Sequence, residues 1–479
     1  MPRPSVPPPS RAPDARPDRR RHDARRSRAR RVRLVHRPPP CAPPPPEADP
    51  HEPTALVASV FRWLAEHLPA CGYHRPVCKR LAVLISGLVA GEAATVAGLA
   101  ETVHALAITP AQEPSIVRRL QRLTADPRLA PALLLPALFR PLLPTLLQSA
   151  RAAHAANEPS GPAHHARFIA LRLVVDATTK GDQVHILTVG LAYQGIVLPL
   201  AVRAWEQNVP LPAGDYTARL IELLSAMHAA LPAELRDHVV LLADRGFGTP
   251  RLLDLLRALG WHWVLRVQDQ VRVRLADGRT RPIRDLATKP GDLWVGDGFP
   301  PSDDTPIAAF QGAGWRDTHA VAVWLAEQDE PWLLLTDLDA SVERLRDYAQ
   351  RWAIERLFLS WQSHGWEWER VGLTDLTRIR SLLTGLVLAT LWRLAAAVPV
   401  AAHHLADLPT HTYRHGHQFR LWRAPTVPWP GKFSLFTWGT RTFHAANLRI
   451  KTPTLCWEFP DWDAPRWSQR CADAYNGAA

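Results

Sequence analysis

Three carboxylates stand where the chain could hold hard cations. Asp176 ends the apolar run Leu171-Arg-Leu-Val-Val and is followed by Ala-Thr-Thr-Lys180. Asp244 ends Val239-Val-Leu-Leu-Ala and is followed by Arg245-Gly-Phe-Gly248. Each run predicts a buried strand with its acid at the carboxyl end, where open α/β sheets place their sites, and a polar turn beyond. Glu355 lies in Asp347-Tyr348-Ala-Gln-Arg351-Trp-Ala-Ile-Glu355, which continues to Gln362. At ~100° per residue with Tyr348 at zero, Arg351 falls near ~−60°, Glu355 near ~−20° and Gln362 near ~−40°, one narrow polar stripe. Ile354, Leu357 and Trp361 fall on the opposite side and can bury against a sheet. Carboxylates are hard oxygen ligands suited to Mg²⁺ or Mn²⁺. Two such ions ~4 Å apart can activate an attacking oxygen and stabilise a leaving one in an in-line phosphoryl displacement. Taken singly, either aspartate could equally be a turn or helix-capping residue, since a helix begins nearby at Thr249-Pro250. The helix alone could be an amphipathic one with a solvated face.

The elements that must position these acids follow from pattern. Phe168–Val175, Val184–Val189 and Ile196–Val202 read as strands with glycine turns at Gly181 and Gly195. A helix at Tyr216–Leu231, a strand at His238–Leu242, a helix at Pro250–Leu259 and a strand at Trp261–Val267 come next. Three meandering strands and then alternating helices and strands predict an α/β (α+β) fold: an RNase H-like mixed sheet with flanking helices. Residues 165–268 and 339–400 would form this core, with the β-rich segment 269–338 inserted between them. One strong helix is expected over Val342–His364 and a further apolar one over 373–398. Residues 52–157 read as an N-terminal all-helical domain that could bind DNA, with Arg118, Arg119 and Arg122 as a basic strip.

The three motifs together resemble those of DDE transposases of bacterial insertion sequences. Asp-Ala-Thr-Thr at 176–179, Asp-Arg-Gly-Phe at 244–247 and Tyr-x2-Arg-x3-Glu from 348 to 355 carry the resemblance, which runs from about 168 to 370. The nearest branch is the family numbered four, which places a β-rich insertion before its catalytic glutamate; the 111-residue step from Asp244 to Glu355 suits it. The resemblance implies metal-dependent cleavage of DNA at transposon ends and strand transfer to target DNA. Asp176 would bridge two Mg²⁺ (or Mn²⁺) ions, with Asp244 and Glu355 each completing one site. Tyr348 and Arg351 would hold phosphates of the transposon end, with Lys180, Arg245 and Gln362 as further DNA contacts. The family's helix motif ends in a lysine where this chain has Gln362, which can hydrogen-bond a phosphate but brings no charge. Alternatives are an RNase H-like nuclease without strand transfer, or a catalytically inactive DNA-binding relative. The implied partners are terminal inverted repeats and target DNA, with a homodimer to pair two ends, in the bacterial cytoplasm at the nucleoid.

Composition sets the bounds. The net charge of +12 is concentrated: residues 1–50 hold 13 Arg against 5 acids, leaving +4 for the rest. With 15 of the 46 prolines, that segment is expected to be disordered, and it has no apolar signal region. Five scattered cysteines (Cys41, Cys71, Cys78, Cys456, Cys471) favour reduced thiols. The apolar runs Leu81–Gly91 and Leu382–Trp392 fall short of the ~20 residues of a membrane span. Trp294, Trp315 and Trp324 in the β-rich segment are expected mainly to pack, with base stacking as the alternative. His403, His404, His411, His415 and His417 read as loop histidines, and residues 401–479 as a C-terminal extension. Asp182, Asp337 and Asp347 are spare acids, of which Asp337 is the strongest rival for a metal role.

Overall fold

The computed structural model describes residues 54–68, 75–129, 131, 171–296 apart from 182, 194, 208 and 210–215, 307–363 apart from 326 and 327, 365–406, 435–446 and five positions between 448 and 457. The arginine-rich tail, Cys41, Cys71, Asp182, most of the C-terminal extension and the side chains of the histidine cluster lie outside the described residues.

Strands β1 (Leu171–Lys180), β2 (Val184–Tyr193) and β3 (Ile196–Glu206) form an antiparallel meander. Helices α5 (Tyr216–Ala230) and α6 (Ala233–Arg236) then lead to β4 (Val239–Ala243), and α7 (Pro250–Leu259) leads to β5 (His262–Arg266). Both β4 and β5 run parallel to β1, giving the order β3-β2-β1-β4-β5 of an RNase H-like core. Every residue of β4 is buried, as its uninterrupted apolar run requires of a strand covered on both faces. Helix α7 has clear punctuation: the Thr249 hydroxyl accepts from Leu252 N at 3.3 Å, Pro250 sits in the first turn, and Gly260 closes the helix at φ 69°.

The sheet does not stop at β5. After β6 (Arg272–Arg274), β7 (Thr280–Pro282), β8 (Leu293–Val295) and β9 (Ile307–Ala309), strand β10 (Arg316–Val323) pairs with β11 (Trp332–Thr336), and β11 pairs with β5. Among the described residues, the β-rich segment thus continues the main sheet to eleven strands.

Two expectations need correction. Strand β1 runs past Asp176 to Lys180, and the turn comes only at Gly181. Its parallel ladder with β4 ends at Val175↔Ala243, but its antiparallel ladder with β2 continues to Lys180↔Val184, and that pairing keeps the polar segment extended. The single helix expected over Val342–His364 is instead α8 (Glu343–Ala349), a 3₁₀ turn at Gln350–Trp352 and α9 (Ala353–Gln362).

Among the described residues, helices α1 (Ala55–His67), α2 (Arg75–Ala90), α3 (Val96–Ala105) and α4 (Glu113–Thr124) precede the sheet. Helices α2 and α4 pack on the long helix α10 (Leu376–Ala406). Gly385 allows the crossing, because a Cβ there would meet Leu84 Cδ2 at 2.7 Å. The Trp366 indole donates to Leu88 O at 2.6 Å, and the fully buried Arg393 donates to Leu88 O at 2.9 Å, binding the carboxyl end of α2 to the same core. The stretch Leu376–Pro399 is long and apolar enough to cross a membrane, but residues 381–398 of it are all buried inside the protein. Helix α11 (Leu435–Ala445) packs against α10.

Candidate active site

The register of β1 on β4 builds the site. Val175 pairs with Ala243, so the next residue of each strand, Asp176 and Asp244, stands side by side at the edge of the parallel ladder. Ala243 pairs with Leu265, which brings Arg266 beside Asp244 in the same way, its Nη1 at 3.8 Å from Asp244 Oδ1. Alternate residues of β1 face the segment of α8 and α9: Arg172 Nε donates to Asp347 Oδ1 at 2.8 Å, Asp176 Oδ2 accepts from Arg351 Nη1 at 3.1 Å, and Thr178 Oγ1 accepts from Gln362 Nε2 at 2.7 Å. Arg351 Nη2 also donates to Glu355 Oε1 at 2.8 Å, and the Tyr348 hydroxyl donates to Asp244 Oδ1 at 3.1 Å. Asp176, Asp244, Glu355, Tyr348 and Arg351 therefore converge at one place.

The polar stripe of the helix is not a solvated face. Tyr348 and Arg351 are only 1% and 4% exposed, because the stripe points into the strand ends. Ile354, Leu357 and Trp361 are buried as expected, and the Trp361 indole donates to Thr390 Oγ1 of α10 at 3.0 Å. Arg351 lies in the 3₁₀ turn, flanked by the 40% exposed ring of Trp352, 4.8 Å from its guanidinium.

Electrostatics at this point favour an added cation. Burial above all, with Asp244 and Glu355 adding to it, raises the Asp176 carboxyl to about 6 against the opposing pull of Arg351 and the Ala177 amide. Burial alone would lower the pKa of Arg351, but Tyr348, Asp244, Asp176 and Glu355 together hold it above its ordinary value. Burial, then Asp244, pushes the Tyr348 phenol up, so it stays a hydrogen-bond donor. Among the described residues no three acidic, histidine or cysteine side chains are close enough to hold one metal ion; Arg351 stands between the carboxylates as their counter-charge. The donor set nonetheless fits Mg²⁺ or Mn²⁺: all hard oxygens, with one carboxylate whose charged form is disfavoured by burial and by its neighbouring carboxylates.

The other expected residues are placed as follows. Lys180 is buried at the far end of β1 with its ammonium 5.7 Å from the Trp368 ring, away from the triad. Arg245 follows Asp244 and pairs with Glu330 at 2.7 Å. Asp337, the expected metal rival, sits at the end of β5 opposite Arg266 and Asp244, where it pairs with His262 at 2.7 Å and accepts from Trp263 N at 3.0 Å. Asp347 is buried between Arg172 and Arg344. Of the three tryptophans, Trp324 lines a cleft beside Arg245 and Arg266, Trp294 is packed against the core, and Trp315 lies under the Arg274 guanidinium at 4.9 Å. Cys78 is a buried free thiol whose pKa burial raises.

Sequence reasoning missed Arg266, Glu330 and Trp352. Arg266 had a signal: it is a charged residue at the carboxyl end of an apolar run, the same pattern that picked out both aspartates. Gly248 matters too, because a Cβ there would lie 2.5 Å from Arg266 O and 2.7 Å from Val267 Cγ1. Gly248→Ala is expected to lower stability by about 1–3 kcal/mol and to displace the loop after Asp244, read as a lower urea midpoint.

Residues 217–392 match the family model described as the transposase DDE domain. The match spans Asp244 and Glu355 but begins after Asp176. A solved structure, the piggyBac transposase synaptic complex with hairpin DNA, is similar at 10% identity and TM-score 0.36 over 85% of this chain and 81% of that one. No curated protein matches the chain.

Proposed function

We propose that this protein is a cut-and-paste transposase of the insertion-sequence family numbered four, cutting DNA at transposon ends and joining the freed 3′ ends to target DNA. The observation that carries the proposal is the side-by-side placement of Asp176 and Asp244 by strand register, with Glu355 joined to them through Arg351. These three carboxylates would hold two Mg²⁺ or Mn²⁺ ions, which when bound supply activation of the attacking oxygen and stabilisation of the leaving oxygen. The protein's own groups do the rest. The strand ends hold the carboxylates rigid, and Tyr348 orients Asp244 by hydrogen bonding. Arg245 offers a planar guanidinium fork to a DNA phosphate, whereas Arg351 and Gln362 are held by Asp176, Glu355 and Thr178, and Lys180 is buried away from the triad. The exposed Arg118, Arg119 and Arg122 of α4 would add a phosphate-binding face. Pairing two transposon ends requires at least a dimer, working at the nucleoid of a bacterial cytoplasm and without a membrane.

Incubating the purified protein and Mg²⁺ with its element's terminal repeats and a target plasmid tests this. Joined products are the expected result. Nicking without joining would favour a nuclease, and binding without either would favour an inactive relative.

A further inference from the structure

Beside the triad, two arginines share one carboxylate. Arg245 opens the loop after β4, and Arg266 ends β5. Arg245 Nη1 lies 2.7 Å from Glu330 Oε2, and Arg266 Nη2 lies 2.9 Å from Glu330 Oε1, so each carboxylate oxygen takes one guanidinium. The two arginines differ in freedom. The Arg266 side chain is 12% exposed and braced by a hydrogen bond to Pro331 O at 3.1 Å, whereas Arg245 and Glu330 are half-exposed. All three line an open cleft with Arg284 and Trp324, and Arg284 is paired with Asp269 at 3.4 Å. Arg266 is also 3.8 Å from a catalytic oxygen of Asp244, and Asp269 and Asp329 line the same cleft, so the two guanidiniums are charge-balanced by carboxylates that an incoming phosphate would have to displace.

A carboxylate bridging two arginine forks resembles a phosphodiester in charge and in presenting two anionic oxygens. The Arg245–Glu330 half of the bridge is half-exposed and adds ~0–1 kcal/mol to stability, so folding alone gives little reason for it. Resting on the transposase reading, we infer that Arg245 and Arg266 form a binding site for a backbone phosphate of DNA next to the cleaved bond, and that Glu330 occupies this site until DNA displaces it. Glu330 lies in the connection that enters β11, so it can leave the cleft while Arg266 stays fixed. Glu330 then acts as a competitor that weakens binding of DNA lacking other contacts.

The test is the affinity of the full chain for a short labelled duplex of arbitrary sequence, in EDTA, by fluorescence anisotropy. Glu330→Gln is expected to bind about fivefold more tightly than the parent. Asp329→Asn removes the same charge from the same cleft, at a residue ion-paired with neither Arg245 nor Arg266, and is expected to change affinity less than about twofold. Introduced into Arg245→Gln, the Glu330→Gln gain shrinks, because half of the site is gone. Equal effects of Glu330→Gln and Asp329→Asn, or no gain from the former, overturn the inference while end joining by the parent leaves the transposase reading standing. Failure of every variant to bind duplex, together with failure of the parent to join ends, overturns both.

Discussion

Replacing Asp244 by alanine is expected to lower strand cleavage and joining by about 10³-fold or more, while duplex binding stays within about twofold of the parent's. The size follows from the arrangement. Asp176 and Asp244 are adjacent strand-end carboxylates that act on the same reacting phosphate, and catalytic groups that act as a unit are not additive. Asp176→Asn, Asp244→Asn and Glu355→Gln should each approach the same floor, and the Asp176→Asn/Asp244→Asn pair should fall little below either alone. Circular dichroism and a gel-shift assay would show that the fold and DNA binding persist. A variant of Asp244 that cut at the parent's rate would remove this residue from the site.

Replacing Arg351 by alanine is expected to destabilise the metal-free protein by about 3 kcal/mol at pH 8, much less at pH 5, and to be partly rescued by Mg²⁺. Arg351 is buried between Asp176 and Glu355, so its loss leaves carboxylates facing one another without a counter-charge. The pH dependence comes from Asp176, whose carboxyl is raised from 3.8 to about 6 in the folded protein by burial and by Asp244 and Glu355, against the pull of Arg351. A carboxyl with a raised folded pKa costs stability as pH climbs from 3.8 through about 6, because the folded state must then hold a charge it disfavours. Removing Arg351 raises that pKa further, so the cost grows above pH 6 and fades at acid pH, where Asp176 is protonated with or without its partner. Urea denaturation at the two pH values, with and without Mg²⁺, reads this directly. An equal loss at pH 5 and pH 8 would mean that Arg351 contributes packing and not charge balance.

Much of the site was legible because its signals are local. An apolar run ending in an acid fixed the strands at Asp176 and Asp244, and the helical period put Tyr348, Arg351 and Glu355 on one stripe. Helix Pro250–Leu259 falls where capping and periodicity predict it. What escaped depends on partners distant in sequence. The extension of β1 past Asp176 is imposed by β2, and the inward direction of the polar stripe is imposed by strand ends about 100 to 175 residues upstream. A helical wheel gives the angle between side chains but not what stands opposite them. Asp337 stood as a rival for a metal role because it ends a strand, yet β11 runs antiparallel to β5, so it lies at the end of β5 opposite Arg266 and Asp244. Gln362, the departure from the family motif, is engaged by Thr178 and helps hold β1 against α9.

The claim that most needs testing is that Asp176 holds a metal ion, since the transposase-domain match begins beyond it and its place rests on strand register. Mn²⁺ accepts a sulfur ligand far better than Mg²⁺ does. In the cleavage assay, Asp176→Cys should be inactive with Mg²⁺ and regain activity with Mn²⁺, while the parent cuts with both. Parent-like cleavage by Asp176→Cys in Mg²⁺ would contradict the account.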